Sequence, residues 1–106
     1  MAAHALTLSS HTARAGVVTF VLANPSTVAH EIDIVRTVLA PMALPTKTNG
    51  QFNEHTTQAR VVKEAVKIKP GATRTFTARL AAGHYVIVDN LPGHYHAGEA
   101  TDLTIT

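Results

Sequence analysis

Cysteine is absent from this sequence. Its absence removes disulfides, thiolate nucleophiles and Cys-ligated metal sites in one step. Tryptophan is absent too and aromatics make up only 5% of the chain, with no run of rings interleaved among basic residues for bases to stack on. Serine occurs at Ser9, Ser10 and Ser26 alone, none of them in a G-x-S-x-G elbow, and neither a P-loop nor G-x-G-x-x-G is found. A hydrolase or a nucleotide enzyme is therefore not expected. No apolar run approaches the ~20 residues that cross a bilayer, the longest obvious candidate being residues 17–23. Residues 1–5 lack the basic and apolar regions of a secretion signal, which suits a cytosolic protein or a mature domain carrying a starting Met. Charged residues are also few, 15% with a formal net charge of +2, so neither self-repelling disorder nor a nucleic-acid partner is called for. The basic residues Arg60, Lys63, Lys67 and Lys69 are interrupted by Glu64 and read as the solvated face of an amphipathic element, with no nucleic-acid role.

What is present is a core. Apolar residues are 45% of 106, enough to close one globular domain spanning residues 1–106. Gly16, Asn24-Pro25, Asn49-Gly50, Pro70-Gly71, Gly83, Asn90, Pro92-Gly93 and Gly98 cut the chain into short segments rich in Val, Ile, Thr, Phe and Tyr. Several alternate strictly, as strands with one buried face must. Val18, Phe20 and Leu22 share a face within residues 16–23; His30, Ile32 and Ile34 share one within 30–35, with Glu31 and Asp33 opposite. Phe76, Ala78 and Leu80 share a face within 73–80, and Leu103 and Ile105 within 102–106. Leu6 and Leu8 suggest a short first strand. Residues 57–69 fit either a helix, through Ala59, Val62 and Val66, or a strand over 61–69; the strand is preferred. Residues 40–57 read as a long loop with room for one helical turn. The result is an all-β protein of about seven strands, a sandwich or small barrel.

Histidine is in excess, seven in all, which directs attention to ligand chemistry. Metal-binding side chains concentrate in Asp89-Asn90-Leu91-Pro92-Gly93-His94-Tyr95-His96-Ala97-Gly98-Glu99, at D-x4-H-x4-E spacing. The loop follows an apolar strand and precedes the last one, so its ends are pinned while its turn residues let the backbone fold back. Asp89, His94 and Glu99 can then face one point, joined by His30 from the end of another strand's apolar face. Each has a blander use as well: Asp89 as a turn residue, His30 as a satisfied core or rim histidine, His94 and His96 as loop residues, Glu99 as a solvated charge. His4, His11, His55 and His84 lack comparable neighbours and are assigned to the surface.

These same residues resemble the cupredoxins, the plastocyanin and azurin type of small copper protein. That family joins its last two strands by a loop often written C-x-x-P-G-H-Y-x-x-G-M, with a first His ligand on an earlier strand after an Asn-rich turn. Asn24-Pro25 followed by His30-Glu31 matches the earlier strand, and Asp89 to Tyr95 with Gly98-Glu99 matches the loop. Pro70-Gly71, the Phe76 strand and Ala82-Gly83-His84-Tyr85 fit the preceding hairpin. The resemblance covers nearly the whole chain and implies a Greek-key β-sandwich, a site at that loop and an extracytoplasmic or periplasmic setting. It departs at both sulfur ligands: Asp89 stands where the family has Cys and Glu99 where it has Met. A blue site, which needs the thiolate, is excluded.

His30, His94, Asp89 and Glu99 thus form an N2O2 set that suits Cu(II) first, with Zn(II), Ni(II), Co(II) or Fe(II) as further occupants. The expected function is a non-catalytic, non-blue metal-binding domain for electron transfer, storage or delivery, with a redox or metal-delivery protein as partner. Two other readings stay open. One is a small mononuclear metalloenzyme, for which Gly93-His94-x-His96-x-x-Glu99 resembles a shortened cupin ligand run. The other is a metal-free interaction module on a β-sandwich.

Overall fold

The computed structural model describes residues 10–49, 51, 53, 56, 58–89 and 100–106. Its strands are β1 (Thr12–Ala13), β2 (Gly16–Ala23), β3 (His30–Thr37), β4 (Ala59–Ile68), β5 (Thr73–Leu80), β6 (Gly83–Asp89) and β7 (Ala100–Ile105), with a single 3-10 turn at Pro41–Ala43 after β3. They form two sheets: five strands in the order β1-β7-β6-β3-β4, and the hairpin-like pair β2-β5. All pairings are antiparallel except β1 with β7. The chain leaves β3 for β4, crosses to the other sheet for β5, and returns to place β6 beside β3. That crossing is the Greek-key order of a sandwich.

Alternation decides the core, as the sequence pattern requires. Val18, Phe20 and Leu22 of β2 and Phe76, Ala78 and Leu80 of β5 face Ile32, Ile34, Val66, Ile68, Tyr85, Ile87, Leu103 and Ile105 of the larger sheet. Phe20 and Phe76 are direct cross-strand partners with stacked rings, centroids 5.1 Å apart. On the outer side of the two-stranded sheet Val17 and Val21 stay exposed.

The larger sheet carries a second core on its other face. Val35, Val86, Val88 and Ala59 are covered there by Leu44 and Leu39, from the chain that follows β3. Residues 85–89 of β6 are consequently buried on both sides, which is why the segment reads as a continuous apolar run rather than an alternating one. Asp33 lies opposite Ile32 and Ile34 as the alternation requires, and it is buried there, on the face that the segment after β3 folds over.

Other expectations resolve by residue. Residues 59–68 are a strand and not a helix, since pairing with β3 along their length outweighs an ambiguous local period. Two irregularities in that pairing, around Ile34, account for the broken alternation in the sequence of β4. Among the described residues of the loop expected at 40–57, a helical turn forms at Pro41–Ala43. The suggested strand at Leu6 and Leu8 lies outside the described residues, whereas the short β1, unmarked in the sequence, is held by Thr104 N–H to His11 O and Thr106 N–H to Ala13 O.

Candidate metal centre

The inner face of the large sheet ends, at one end of the sandwich, in polar residues. β3 begins there with His30 and β6 finishes there with Asp89. Ile32 is the direct partner of Asp89, so His30, two residues earlier on the same face, sits on the diagonal from it. The two side chains meet: His30 Nδ1 contacts Asp89 Oδ2. Asp89 is completely buried and His30 nearly so, at 0% and 8% exposure. Asp89 Oδ1 also accepts from the backbone N–H of Glu31 at 3.3 Å. Asp89 is therefore no simple turn residue bonded to its own backbone; its carboxylate reaches across the sheet to another strand.

The other ring nitrogen is positioned from behind. His30 Nε2 lies 3.2 Å from Ser26 Oγ. Ser26 is held in turn by Asn24, whose Oδ1 accepts from Ser26 N at 3.1 Å and from Ser26 Oγ at 2.6 Å. This is the Asx turn that an Asn-Pro-Ser sequence favours. Asn24 Nδ2 donates to the carbonyls of Val28 at 2.7 Å, Ile68 at 3.1 Å and Lys69 at 3.2 Å. Buried Asn24 thus knots together the end of β2, the turn into β3 and the end of β4. The Asn-Pro signal marked this turn in the sequence; the links from Asn24 through Ser26 to His30 did not show, because they join residues whose contact depends on where the turn places them.

Two arrangements of the ring protons satisfy these contacts. Either Nδ1–H donates to the Asp89 carboxylate while Nε2 accepts from Ser26 Oγ, or Nε2–H donates to Ser26 Oγ and leaves the Nδ1 lone pair facing the carboxylate, an arrangement that a second ring proton or a metal ion completes. A buried imidazole oriented through its far nitrogen, beside a buried carboxylate, is a donor pair that a divalent ion of borderline hardness accepts.

Of the four expected ligands, His30 and Asp89 are brought together. His94 and Glu99 lie outside the described residues, as do His96, His4 and His55. Among the described residues no group of three or more His, Asp or Glu gathers to hold a metal. His11 is exposed as expected. His84 is not a free surface residue: Nδ1 is 2.6 Å from the Thr37 carbonyl and Nε2 is 2.6 Å from Asp102 Oδ1. Both partners accept only, so both ring nitrogens donate, and the bond to Thr37 followed by the bond and charge of Asp102 raise the His84 pKa against partial burial. The sequence hides this pairing because residues 37, 84 and 102 come together only through the order β3-β6-β7.

The sandwich is cupredoxin-like in fold. Two solved structures are similar to the chain. An auracyanin from the photosynthetic bacterium Roseiflexus castenholzii, in its dithionite-reduced form, aligns with a TM-score of 0.63 and 24% identity over 90% of this chain and 82% of that one. Auracyanin B aligns with a TM-score of 0.62 and 25% identity over 99% and 84%. No family model and no curated protein matches the chain. No helix among the described residues is long and apolar enough to cross a membrane.

Proposed function

We propose that this is a cupredoxin-like metal-binding protein that holds Cu(II), or a similar divalent ion, in a non-blue site made of His30, Asp89, His94 and Glu99. The observation that carries the reading is the buried pair of His30 and Asp89, with the ring held at its far nitrogen by Ser26 and its Nδ1 turned toward the carboxylate. His94 and Glu99 complete the set by the spacing of the loop that joins β6 to β7. One structural neighbour is an auracyanin in a dithionite-reduced state, which supports a redox role for the scaffold. With hard oxygen donors in place of sulfur, copper here is stabilised as Cu(II), giving a lower potential than a thiolate site and weak colour.

The chain's own contribution is to orient and desolvate. Asn24 and Ser26 fix the ring of His30, the apolar inner face excludes water from behind it, and Asp89 supplies charge that favours a cation. The role is electron transfer, metal storage or delivery to a protein partner, in an extracytoplasmic setting, and not catalysis of substrate turnover.

Metal-free protein dialysed against Cu(II) should take up one ion per chain, with nitrogen hyperfine in its EPR spectrum and no intense visible band. His30→Ala and Asp89→Ala should each lose most of that affinity. Asp89→Cys should gain a strong visible absorption with Cu(II), because a thiolate then occupies the position. Copper uptake unchanged in both alanine variants would leave the buried pair as a metal-free ion pair and end this reading.

A further inference from the structure

We infer that the β4 side of the sandwich is a docking surface for an acidic protein. β4 is the last strand of the five-stranded sheet. It carries Arg60, Lys63, Lys67 and, one residue past its end, Lys69. Two further cations join from other strands. Arg36 of β3 is the direct cross-strand partner of Arg60. Arg74 of β5 donates to the Lys67 carbonyl at 2.8 Å and so bridges to β4 from the other sheet. All but half-buried Lys63 are exposed.

The placement is lopsided. These six are two-thirds of the nine Lys and Arg in the chain, and the only carboxylates on the same strands are Glu31 and Glu64, beside Asp33, which is buried on the other face. The rest of the chain is left with three cations against four carboxylates besides Asp33. Among the described residues the ion pairs are His30 with Asp89 and His84 with Asp102, and none involves the six cations. Arg36 and Arg60, directly opposite each other, repel.

Protection of a sheet edge against aggregation is one use of charge on an edge strand. It asks only for charge of some kind on that strand. Here the sign repeats, and Arg36 lies on β3, inside the five-stranded sheet. Six cations opposed on these strands only by Glu64 and by Glu31, the partner of Lys67, leave an excess of positive charge that is complementary to an anionic surface, which it attracts and orients. Nucleic acid fits less well. The two rings beneath the stripe are covered, Phe76 by Lys63 Nζ at 6.0 Å and Tyr85 by the Arg36 guanidinium at 5.7 Å, so neither is open for a base to stack on. The stripe ends beside the candidate metal centre, since Ile68 is the partner of His30. The docking surface itself stands on charge and exposure and does not require a metal.

The test is an NMR titration of the metal-free protein with a synthetic deca-glutamate peptide, with a single-stranded DNA decamer as the parallel probe. At about 0.01 M salt the peptide should shift amides of residues 60–69, 36 and 74 most. The shifts should fade at about 0.15 M, where the screening length drops from about 30 Å to about 8 Å. Arg60→Glu combined with Lys67→Glu should weaken binding about tenfold or more. Arg14→Glu combined with Arg79→Glu, which changes net charge equally at two exposed positions away from the stripe, should weaken it about twofold or less. Equal losses in the two double variants, shifts spread over the whole surface, or tighter binding of the DNA than of the peptide would each overturn the inference.

Discussion

Replacing His84 by Gln should remove a pH-dependent part of the stability. In the folded protein both ring nitrogens face acceptors, the Thr37 carbonyl and Asp102 Oδ1, so the protonated ring is the form that fits. The folded pKa therefore lies above the ordinary value of 6.5, chiefly through the Thr37 bond and then through Asp102. A raised folded pKa means that the stabilisation is fully present below the unfolded value and is lost as pH rises through the folded one. Its size is limited by solvent. The His84 side chain is 31% exposed and that of Asp102 51%, so the ion pair contributes about 0.5 kcal/mol after screening. The carbonyl bond adds about 0.5–1 kcal/mol, bringing the total to about 1 kcal/mol. For a domain of this size that is about 4–6 °C in Tm. Thermal melts of metal-free wild type and His84→Gln, followed by circular dichroism, should differ by that amount near pH 6 and by less near pH 9, where the neutral ring keeps its bond to Thr37 and loses the pair with Asp102. A difference that is as large at pH 9 as at pH 6 would show that His84 acts by packing alone and would refute the charge argument.

Asn24→Ala should cost about 2–4 kcal/mol, because it strands the carbonyls of Val28, Ile68 and Lys69 in a buried turn; chemical denaturation reads this as a lower midpoint at unchanged m-value. Ile34→Ala removes a completely buried side chain from the inner core and should cost about 2–5 kcal/mol in the same assay. Gly83→Ala should lower Tm noticeably, since a Cβ there would lie 2.9 Å from Arg36 Nη2 and the residue holds φ at +153°, a conformation alanine resists at about 1–3 kcal/mol. Copper occupancy, measured by dialysis across pH, should fall below about pH 6 as imidazole protonates in competition with the metal. Full occupancy near pH 4 would contradict histidine ligation.

Much of the fold was legible because the inner face is written in period two. Phe20 with Leu22, Ile32 with Ile34, and Phe76 with Leu80 each announce a strand and its buried side. β4 was ambiguous because the irregular pairing around Ile34 shifts its alternation midway. The buried state of Asp33 was illegible for a different reason: the face it shares with Val35 is covered by Leu39 and Leu44, and nothing in the local pattern of β3 reports a second layer. Of the candidate site, His30 and Asp89 were found from motif spacing and face. Ser26, which sets the ring orientation, carried no signal of its own beyond following Asn24-Pro25.

The sequence by itself determined which residues could be ligands and that no thiolate could be among them; composition settles that without any coordinates. It also determined which strand faces would be apolar, because side chains alternate along a strand whatever its neighbours are. Only the tertiary structure decided that His30 touches Asp89, that His84 donates to both Thr37 and Asp102, that Arg36 lies opposite Arg60 and that Arg74 reaches the Lys67 carbonyl. Those are contacts between strands distant along the chain, and the order in which strands pair is set by the packing of the whole sandwich and not by any segment within it.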